Sequence, residues 1–386
     1  MSTSPLYLDN AATTPIASEV LKEMTAYMGL DACYFNPSSS GYFGGKSASD
    51  ALFGFRSAIA KYLGCKADEI IFTSGATEAN NLALQGIAYA NMQYGKHIIT
   101  SLIEHKSILN TCKMLEKEGF SLTYLKPNAD GQIELDSVRQ ALRADTLLVS
   151  IQHTNNETGI IQPIAQIGEL LAEQGILFHV DAAQAVGKLP LNLEVLTIDL
   201  LSLSAHKFYG PKGVGCLVIR NRRGLNLRPL LYGGGQEFDL RPGTEALHQI
   251  AGMSKALQLA CDSQGKDYQH VSQLKEFFLN QLKEHFALNV QGKQIYSSPY
   301  IVNFAIPNIG SDALINQLAT TVALSSSSAC SSGAVDPSYV LRGMGVDGDA
   351  LYGAVRASFS RYHTMIDISQ AVEHIVAAVR RMQELD

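Results

Sequence analysis

The chain has 386 residues, of which 46% are hydrophobic and 17% charged, and this length is enough for two domains with cores of their own. The formal net charge of −6 is not that of a protein that holds nucleic acid by itself, so we expect no direct nucleic-acid contact. No apolar stretch is long enough to cross a bilayer, and the first residues lack the segments of a secretory signal. We therefore expect a cytoplasmic protein without membrane contact.

The six cysteines are scattered along the chain, without a CxxC pair and without the His/Cys spacing of a zinc site. In a long chain without a secretory signal, this pattern argues against a disulfide framework and against a structural metal. We expect no metal and a reducing compartment, in which one cysteine could serve as a reactive thiol.

Short apolar runs alternate with longer amphipathic stretches through the first two thirds of the chain. The predicted strands are Glu69–Thr73, His97–Ser101, Leu122–Leu125, Leu147–Gln152, Leu177–Val180, Leu200–Ser204 and Gly215–Ile219. The predicted helices between them are Glu78–Tyr94, Ser107–Glu118, Leu135–Leu142 and Ile164–Gln174. Continuous apolar strands separated by helices are typical of a parallel sheet covered on both faces. The sequence therefore predicts an α/β domain with a mostly parallel seven-stranded sheet.

The pattern changes after Gly243. The predicted elements that follow are a helix from about Glu245 to the Ser263–Asp267 region, a second helix over His270–His285, strands at Tyr300–Ala305 and Ala323–Ser325, and a final helix over Ile368–Leu385. We predict a large domain over residues 15–255 and a smaller α+β domain made of residues 1–14 and 256–386.

Polar residues follow the ends of several predicted strands. Lys207 follows one strand in Ser-Ala-His-Lys, Asp181 ends the strand before it, His105 follows another, and the small residues from Gly75 to Thr77 join a strand to a helix. Each alone has an ordinary alternative, such as a solvated lysine or a helix cap. Together they offer a phosphate cradle at a helix N-terminus, an acid for a pyridinium nitrogen and an amine at one sheet edge. This set indicates a pyridoxal-phosphate (PLP) site.

Ordered motifs extend over essentially the whole chain. They are Tyr7–Pro15, Asn36–Ser39, Phe72–Glu78, Glu104–Lys106, Asn155–Gly159, His179–Gln184, Ser204–Lys207, Gly233–Glu237, Arg241–Glu245, Ser328–Ser331 and Val355–Arg356. With these motifs the chain resembles the fold-type I PLP enzymes of the class V aminotransferase family, and in particular the cysteine desulfurases of the NifS/IscS type. The resemblance implies a PLP-binding large domain and a small domain that carries a catalytic cysteine loop.

The resemblance also implies a role for each matching residue. Lys207 matches the Schiff-base lysine, Asp181 the acid on the pyridine nitrogen, His105 the residue that stacks on the ring and moves protons, and Gln184 the contact to the phenolic oxygen. Positions that bind the phosphate group are matched by Gly75, Ala76, Thr77, Ser204 and His206. Thr244 matches a phosphate contact supplied by the neighbouring subunit, which implies a homodimer. Substrate positions are matched by Asn156, Arg356 and Asn36, with Arg356 on the substrate carboxylate.

Cys330 lies in a run of serines, alanine and glycine from residue 325 to residue 333. An isolated cysteine is more often a packing residue than a nucleophile, but these neighbours favour an exposed, mobile segment. In the family, this cysteine takes sulfur from L-cysteine as a persulfide, releases L-alanine and passes the sulfur to an acceptor protein. The acceptor stays open between iron–sulfur cluster assembly, tRNA thiolation and DNA phosphorothioation. The chain stops soon after its last predicted helix, which lowers the expectation of docking to an iron–sulfur scaffold.

Some positions depart from the family's pattern. Ala205 replaces a usual glycine before His-Lys, Tyr42 stands near a position where a histidine is common, and Ala-Ser-Phe-Ser-Arg follows Arg356. A selenocysteine lyase, or a relative that acts on cysteine sulfinate, is the nearest alternative and shares the cofactor residues. A non-catalytic scaffold protein would lack this complete set. A dehydrogenase ranks last because no GxGxxG motif follows an early strand.

Overall fold

In the computed structural model, residues 5–326 and 337–384 are described. The strands are β1 Leu6–Tyr7, β2 Ile70–Thr73, β3 His97–Ser101, β4 Ser121–Leu125, β5 Thr146–Gln152, β6 Leu177–Asp181, β7 Leu200–Ser204, β8 Gly215–Ile219, β9 Asn289–Val290, β10 Ile301–Ala305, β11 Val322–Ala323, β12 Ser325–Ser326 and β13 Val355–Ser358. The helices are α1 Ser18–Thr25, α2 Phe43–Leu63, α3 Ala76–Asn91, α4 Lys106–Lys117, α5 Leu135–Ala141, α6 Ile164–Glu173, α7 Leu247–His285, α8 Ser311–Leu318, α9 Tyr339–Gly343, α10 Gly348–Tyr352 and α11 Met365–Gln383.

The main sheet of the described residues has seven strands in the order β2-β8-β7-β6-β5-β3-β4. Strand β8 is antiparallel to its neighbours β2 and β7, and the other pairs are parallel. All strands except β8 therefore run the same way and end at one edge of the sheet. The predicted seven-stranded, mostly parallel sheet is confirmed.

Both faces of this sheet are covered, because its central strands are apolar on both sides. On one face, buried residues of α3 and α4 such as Leu82 and Ile108 pack with Leu148 and Leu200 of the sheet. On the other face, α2, α6 and the first half of α7 form a separate cluster with strand residues such as Val180. Two hydrophobic layers thus clamp the sheet and fix the positions of its strand ends.

The region after Gly243 differs from the prediction in its first helices, and it also contains β9, α8, α9, α10 and β13, which were not predicted. The two helices expected between Glu245 and His285 are a single helix, α7, of 39 residues. Gly265 lies near its middle, but a glycine costs a helix only about 1 kcal/mol and the segment has no proline to break the hydrogen-bond ladder. Asp267 also accepts a hydrogen bond from Ser263 Oγ (2.6 Å) and pairs with Arg361, which supports the helix at this point.

A second hydrophobic core surrounds the far half of α7. It contains buried residues of the four-stranded sheet β12-β13-β10-β9 and of α8 and α11, and it starts on α7 at Val271, whereas the first core ends on that helix at Ala260. The predicted domain boundary at residues 255 and 256 falls within this continuous helix and stays a prediction.

The segment before α1 joins both halves of the chain. Strand β1 pairs in parallel with β11, so that Leu6 lies opposite Val322. Asn10 then donates to the carbonyl of Ser358 (3.0 Å), and Thr14 donates to the carbonyl of His206 (3.0 Å). The segment therefore runs from the two-stranded sheet β1-β11, past Ser358 of β13, to the end of β7. No helix in the described part of the chain is long and apolar enough to span a membrane.

Candidate active site

A cavity of about 530 Å³ opens at the edge where the parallel strands end. The predicted site residues that line it are Gly75, Ala76, Thr77, His105, Asn156, Asp181, Gln184, Ser204, His206, Lys207 and Arg356. They come from the last residues of β6 and β7, from the segments that follow β2, β3, β5, β6 and β7, and from β13. The structure therefore brings together residues that are up to 281 positions apart, from Gly75 to Arg356.

Lys207 is held by a short, tightly anchored turn. The one-turn helix Ala205–Lys207 follows β7, and Tyr209 then takes the left-handed conformation (φ 67°), with its hydroxyl bonded to Ser360 Oγ at 3.1 Å. Lys207 Nζ donates to the carbonyl oxygens of Ala11 (2.6 Å) and Ala12 (2.8 Å). Burial, together with the positive charge of Arg356, lowers the pKa of Lys207 to about 8. A minor but appreciable fraction of this amine is therefore neutral and nucleophilic near physiological pH.

Asp181 and His105 are joined by two polar residues that the sequence analysis did not single out. Asn80 Nδ2 donates to Asp181 Oδ2 and to Ser107 Oγ, both at 2.8 Å, and Ser107 Oγ lies 2.8 Å from His105 Nδ1. The backbone N–H of Ser107 also donates to His105 Nδ1 (3.1 Å), so Nδ1 is an acceptor and the ring proton of neutral His105 is on Nε2. Asn80 lies one helical turn after Ala76, and this spacing was the available signal.

His105 faces the open cavity, but the surrounding protein withdraws it from bulk water. This desolvation lowers its pKa, with smaller contributions from the charges of Lys207 and Lys106, while Asp181 acts in the opposite direction. The turn before it is fixed by Glu104, whose buried carboxyl group accepts from Ser101 Oγ (2.5 Å) and from the backbone N–H of Gln152 (2.8 Å) and has a pKa raised by burial. His105 is therefore a neutral imidazole at a fixed place on the cavity wall.

One end of the cavity has the features of a phosphate site. The N-terminus of α3 opens into it at Ala76 and Thr77, where the first N–H groups of a helix have no acceptor within the helix. Gly75 has φ 155°, and a Cβ at this position would lie 3.3 Å from Ser204 Oγ, so a glycine fits the approach of the two strand ends. Lys212 adds an amine to the cavity lining, and His206 adds an imidazole whose pKa is lowered to about 4, chiefly by burial. Lys212 was not predicted.

Arg356 is buried on β13 and anchored on one side. Its Nη2 donates to Asp9 Oδ1 (2.6 Å) and its Nη1 to the carbonyl of Asn156 (2.8 Å). Its Nε and the side-chain oxygen of Asn156 are buried and have no hydrogen-bond partner among residues 5–326 and 337–384. Buried polar atoms normally have partners, so a donor and an acceptor are left for a ligand here. Asp9, which the sequence analysis quoted only within a motif, positions the guanidinium.

Of the other three predicted residues, two are not on the cavity wall and the third lies outside the described residues. Asn36 is exposed in the loop before α2, where its Oδ1 accepts from the N–H of Ser38 (2.9 Å). Thr244 is exposed as well, and it was expected to serve a neighbouring subunit rather than its own. Cys330 lies outside the described residues. The roles of these three residues stay predictions.

Comparison with known proteins decides the family. The family described as "Aminotransferase class-V" matches residues 6–371. The chain belongs to this family. Its members are PLP enzymes, so the cofactor expected from the strand ends is confirmed.

The relatives and solved structures match this chain over nearly its full length. The chain is 43% identical to "Cysteine desulfurase IscS" of Proteus mirabilis (strain HI4320) over 381 residues, which are 99% of this chain and 94% of that protein. A solved structure described as "NIFS-like protein" matches with a TM-score of 0.91 and 34% identity, and covers 98% of this chain and 100% of its own. The structure "SspA in complex with cysteine" matches with a TM-score of 0.82 and 36% identity, covering 94% and 100%. The fold-type I architecture is thus confirmed.

Proposed function

We propose that this protein is a PLP-dependent cysteine desulfurase, which removes sulfur from L-cysteine, releases L-alanine and stores the sulfur as a persulfide on Cys330. The observation that carries this proposal is the meeting of Lys207, Asp181 and Arg356 around one cavity in a chain that matches cysteine desulfurases from end to end. The amine, the acid and the guanidinium are the groups that an amino-acid substrate and PLP together require.

The residues present fit PLP. Lys207 supplies a partly neutral amine, Asp181 a carboxylate for the pyridine nitrogen, and the N-terminus of α3 a cradle for the phosphate group. When bound, PLP supplies an electron sink for the carbanion that forms at the substrate Cα. The carboxylate of Asp181 is kept in place by the amide of Asn80 and by the backbone N–H of Ala183 (3.0 Å).

Arg356 and Asn156 would bind the substrate. The buried Nε–H of Arg356 offers a donor for the substrate carboxylate, and the side-chain oxygen of Asn156 offers an acceptor for its amino group. Asp9 keeps the guanidinium in one orientation. These contacts require both an acid and an amine on the ligand, which favours an α-amino acid.

Two bases then move protons. The neutral amine of Lys207 can take a proton from the substrate Cα, and His105 can take or give one at Nε2, since its Nδ1 is held by Ser107. The sulfur step balances: the Cβ–S bond of cysteine breaks, an S–S bond forms at the Cys330 thiolate, and Cβ gains a proton to complete alanine. No external oxidant is consumed.

The assignment of the thiol to Cys330 is supported by the other cysteines. None of the five cysteines in residues 5–326 and 337–384 lines the cavity. Burial raises the pKa of Cys65 and of Cys112 to about 12 and that of Cys261 to about 11, which makes each a poor source of thiolate. Cys216 is fully buried in β8.

The partners of the reaction follow from the same chemistry. A persulfide needs an acceptor protein, which would belong to iron–sulfur cluster assembly, tRNA thiolation or DNA phosphorothioation. We also propose a homodimer, because the exposed Thr244 could then complete the phosphate site of a second subunit. A reducing cytoplasm suits a chain whose described cysteines are free thiols.

The activity is tested by incubating the purified, PLP-loaded protein with L-cysteine and a dithiol reductant, while alanine and sulfide are measured. The wild-type protein should release both in equal amounts. Lys207→Ala should abolish both, and Cys330→Ser should keep the bound PLP but lose persulfide formation. Cys33→Ser, which changes a half-buried cysteine away from the cavity, is the matched control and should behave as wild type.

Sulfide release by Cys330→Ser at the wild-type rate would overturn the assignment of the thiol. Release of alanine from selenocysteine or cysteine sulfinate, with none from cysteine, would overturn the assignment of L-cysteine as the substrate. Labelled cysteine in a mixture with candidate acceptor proteins would then identify which acceptor becomes persulfidated.

A further inference from the structure

Lys188 is a buried lysine behind the cavity wall, and the reaction as described does not use it. It follows Gln184 by four residues, and the whole residue is only 4% exposed. Its Nζ donates to Gln184 Oε1 (3.1 Å) and lies 5.7 Å from the centre of the Tyr300 ring. A buried amine of this kind carries a desolvation cost, and an apolar side chain of similar size would usually pack as well or better.

The hydrogen bonds around Gln184 leave only one orientation for its amide. Its Nε2 donates to the carbonyl oxygen of Ala11 (2.8 Å), and its Oε1 accepts from Lys188. A flipped amide would place two acceptors together at Ala11 and two donors together at a protonated Lys188. Lys188 and Ala11 therefore fix the NH₂ group on the side of Gln184 that faces Lys207.

The charges around Lys188 are positive. Burial and the charges of Lys207 and Arg356 lower the pKa of Lys188 to about 7. Lys188 in turn contributes to the lowered pKa of His206, after burial and the charges of Lys207 and Lys212. The positive charges are those of Lys207 and Arg356, and the directed amide donor of Gln184 adds to this wall a group that favours an anionic oxygen on a ligand.

We infer that Lys188 is a positioning residue, which keeps the amide NH₂ of Gln184 directed at the phenolic oxygen of bound PLP. The inference rests on the proposed function, since that function places the phenolic oxygen beside Gln184. It assigns Lys188 no contact with the substrate or with PLP.

A pH titration of the visible absorption of the PLP-loaded protein tests the inference without measuring activity. The colour changes when the proton shared between the phenolic oxygen and the nitrogen of Lys207 is lost. A hydrogen-bond donor directed at that oxygen favours the form without the proton. Lys188→Met should therefore raise the midpoint of this titration by about one pH unit.

Lys275→Met is the matched control. Lys275 is also buried (7% exposed), with a pKa lowered to about 7 by burial, but it donates to Ser297 Oγ (2.8 Å) and to the carbonyl of Ser298 (3.0 Å) and does not line the cavity. Its replacement should leave the titration midpoint unchanged, although it removes the same kind of buried amine.

A double variant distinguishes an effect of Lys188 that acts through Gln184 from an effect that does not depend on Gln184. In a Gln184→Met background, Lys188→Met should add less than a quarter of its shift in the wild-type background. An unchanged midpoint in folded, PLP-loaded Lys188→Met would overturn the inference, as would an equal shift in both backgrounds. Should Lys188→Met not fold, Lys188→Gln keeps a polar group but ends one bond short of Nζ, and its midpoint should rise as well. Failure of the wild-type protein to bind PLP would instead contradict the proposed function.

Discussion

At the scale of single residues, the cavity raises the reactivity of one amine through its surroundings. Lys207 is half-buried, near the charge of Arg356, and donates hydrogen bonds to two carbonyl oxygens rather than to a carboxylate. Removal from water and a neighbouring cation both disfavour the ammonium form. The same two causes act on Lys188 behind it. The cavity therefore favours neutral amines where an ordinary surface lysine would stay charged.

The lowered pKa of Lys207 predicts how fast PLP becomes attached at different pH values. Because only the neutral amine forms a bond with the aldehyde, the attachment rate to the PLP-free protein should rise about tenfold per pH unit below pH 8 and level off above it. Stopped-flow absorbance measures this rate. A simple alkylamine under the same conditions should keep rising to about pH 10. A protein curve that also rises to this pH would contradict a lowered pKa.

The sequence predicted the site residues that follow strand ends better than the residues whose role depends on long-range contacts or on burial. Lys207, Asp181 and His105 follow strand ends, and strand ends converge whatever the details of packing. The contribution of Asp9 to Arg356 could not be predicted, because it depends on the pairing of β1 with a strand more than three hundred positions away. Lys188 was missed because burial of a lysine leaves no pattern in the sequence.

At the scale of elements, helix α7 shows how tertiary contacts override a local signal. The region around Gly265 predicted a break, but the structure continues the helix through it. Both ends of α7 are buried in different cores, so the free energy of packing at each end outweighs the small helix propensity at the centre. Element boundaries of this kind are therefore less predictable than the strands of the main sheet.

Two glycines of α7 should respond in opposite directions to alanine. A Cβ at the exposed Gly265 would meet nothing within 4 Å, so Gly265→Ala should stabilise the protein by about 0.5–1 kcal/mol. A Cβ at the buried Gly252 would lie 2.7 Å from Met24 Cγ, so Gly252→Ala should destabilise it by about 1–3 kcal/mol. Urea unfolding midpoints measure both. Destabilisation by Gly265→Ala would show that α7 is interrupted there.

The turn that leads to Thr244 is held by a buried ion pair. Glu237, Phe238 and Asp239 all have positive φ values (49°, 59° and 66°), which is costly for residues with side chains. The carboxylate of Glu237 is buried and accepts hydrogen bonds from Arg56 and from the N–H of Phe72 (2.8 Å). The pair thus fixes a strained turn a few residues before Thr244.

Breaking this pair should be far more damaging than breaking an exposed one. Arg56→Met leaves the carboxylate of Glu237 buried without its cation, so we expect a loss of about 3–5 kcal/mol of stability. Arg139→Met breaks an exposed pair with Asp136 and should cost less than about 1 kcal/mol. Thermal unfolding of both variants gives the comparison. Similar losses in the two would contradict a structural role for the buried pair.

At the scale of the whole molecule, the contacts between the two cores include titratable groups. Glu157 is one of them: it lies in the turn after β5 and accepts a hydrogen bond from Ser338, just before α9. Burial raises its pKa to about 7, although Ser338 and Arg356 act in the opposite direction. The folded protein therefore keeps a proton on Glu157 that the unfolded chain has already lost above about pH 4.5.

This difference predicts the sign of a pH effect on stability. Between pH 4.5 and about 7 the folded state binds more protons at Glu157 than the unfolded state, so its contribution to stability falls as the pH rises through this window. Glu157→Gln removes the titration. Its melting temperature relative to wild type should therefore increase from pH 5 to pH 8. A difference that stays constant over this range would contradict the raised pKa.

The pairing of β1 with β11 has a consequence for the order in which the protein is made. Asn10 and its partner Ser358 are 348 positions apart, so the ribosome delivers the first long before the second. The carbonyl groups of Ala11 and Ala12, which accept hydrogen bonds from Lys207, follow Asn10 directly, and the backbone N–H of Ala11 also donates to Ser358 Oγ (2.9 Å). A prematurely terminated chain would contain Lys207 and the main sheet but not the pairing that completes the site. Such a chain lacks the contacts to Ser358 that help to hold these two carbonyl groups near Lys207.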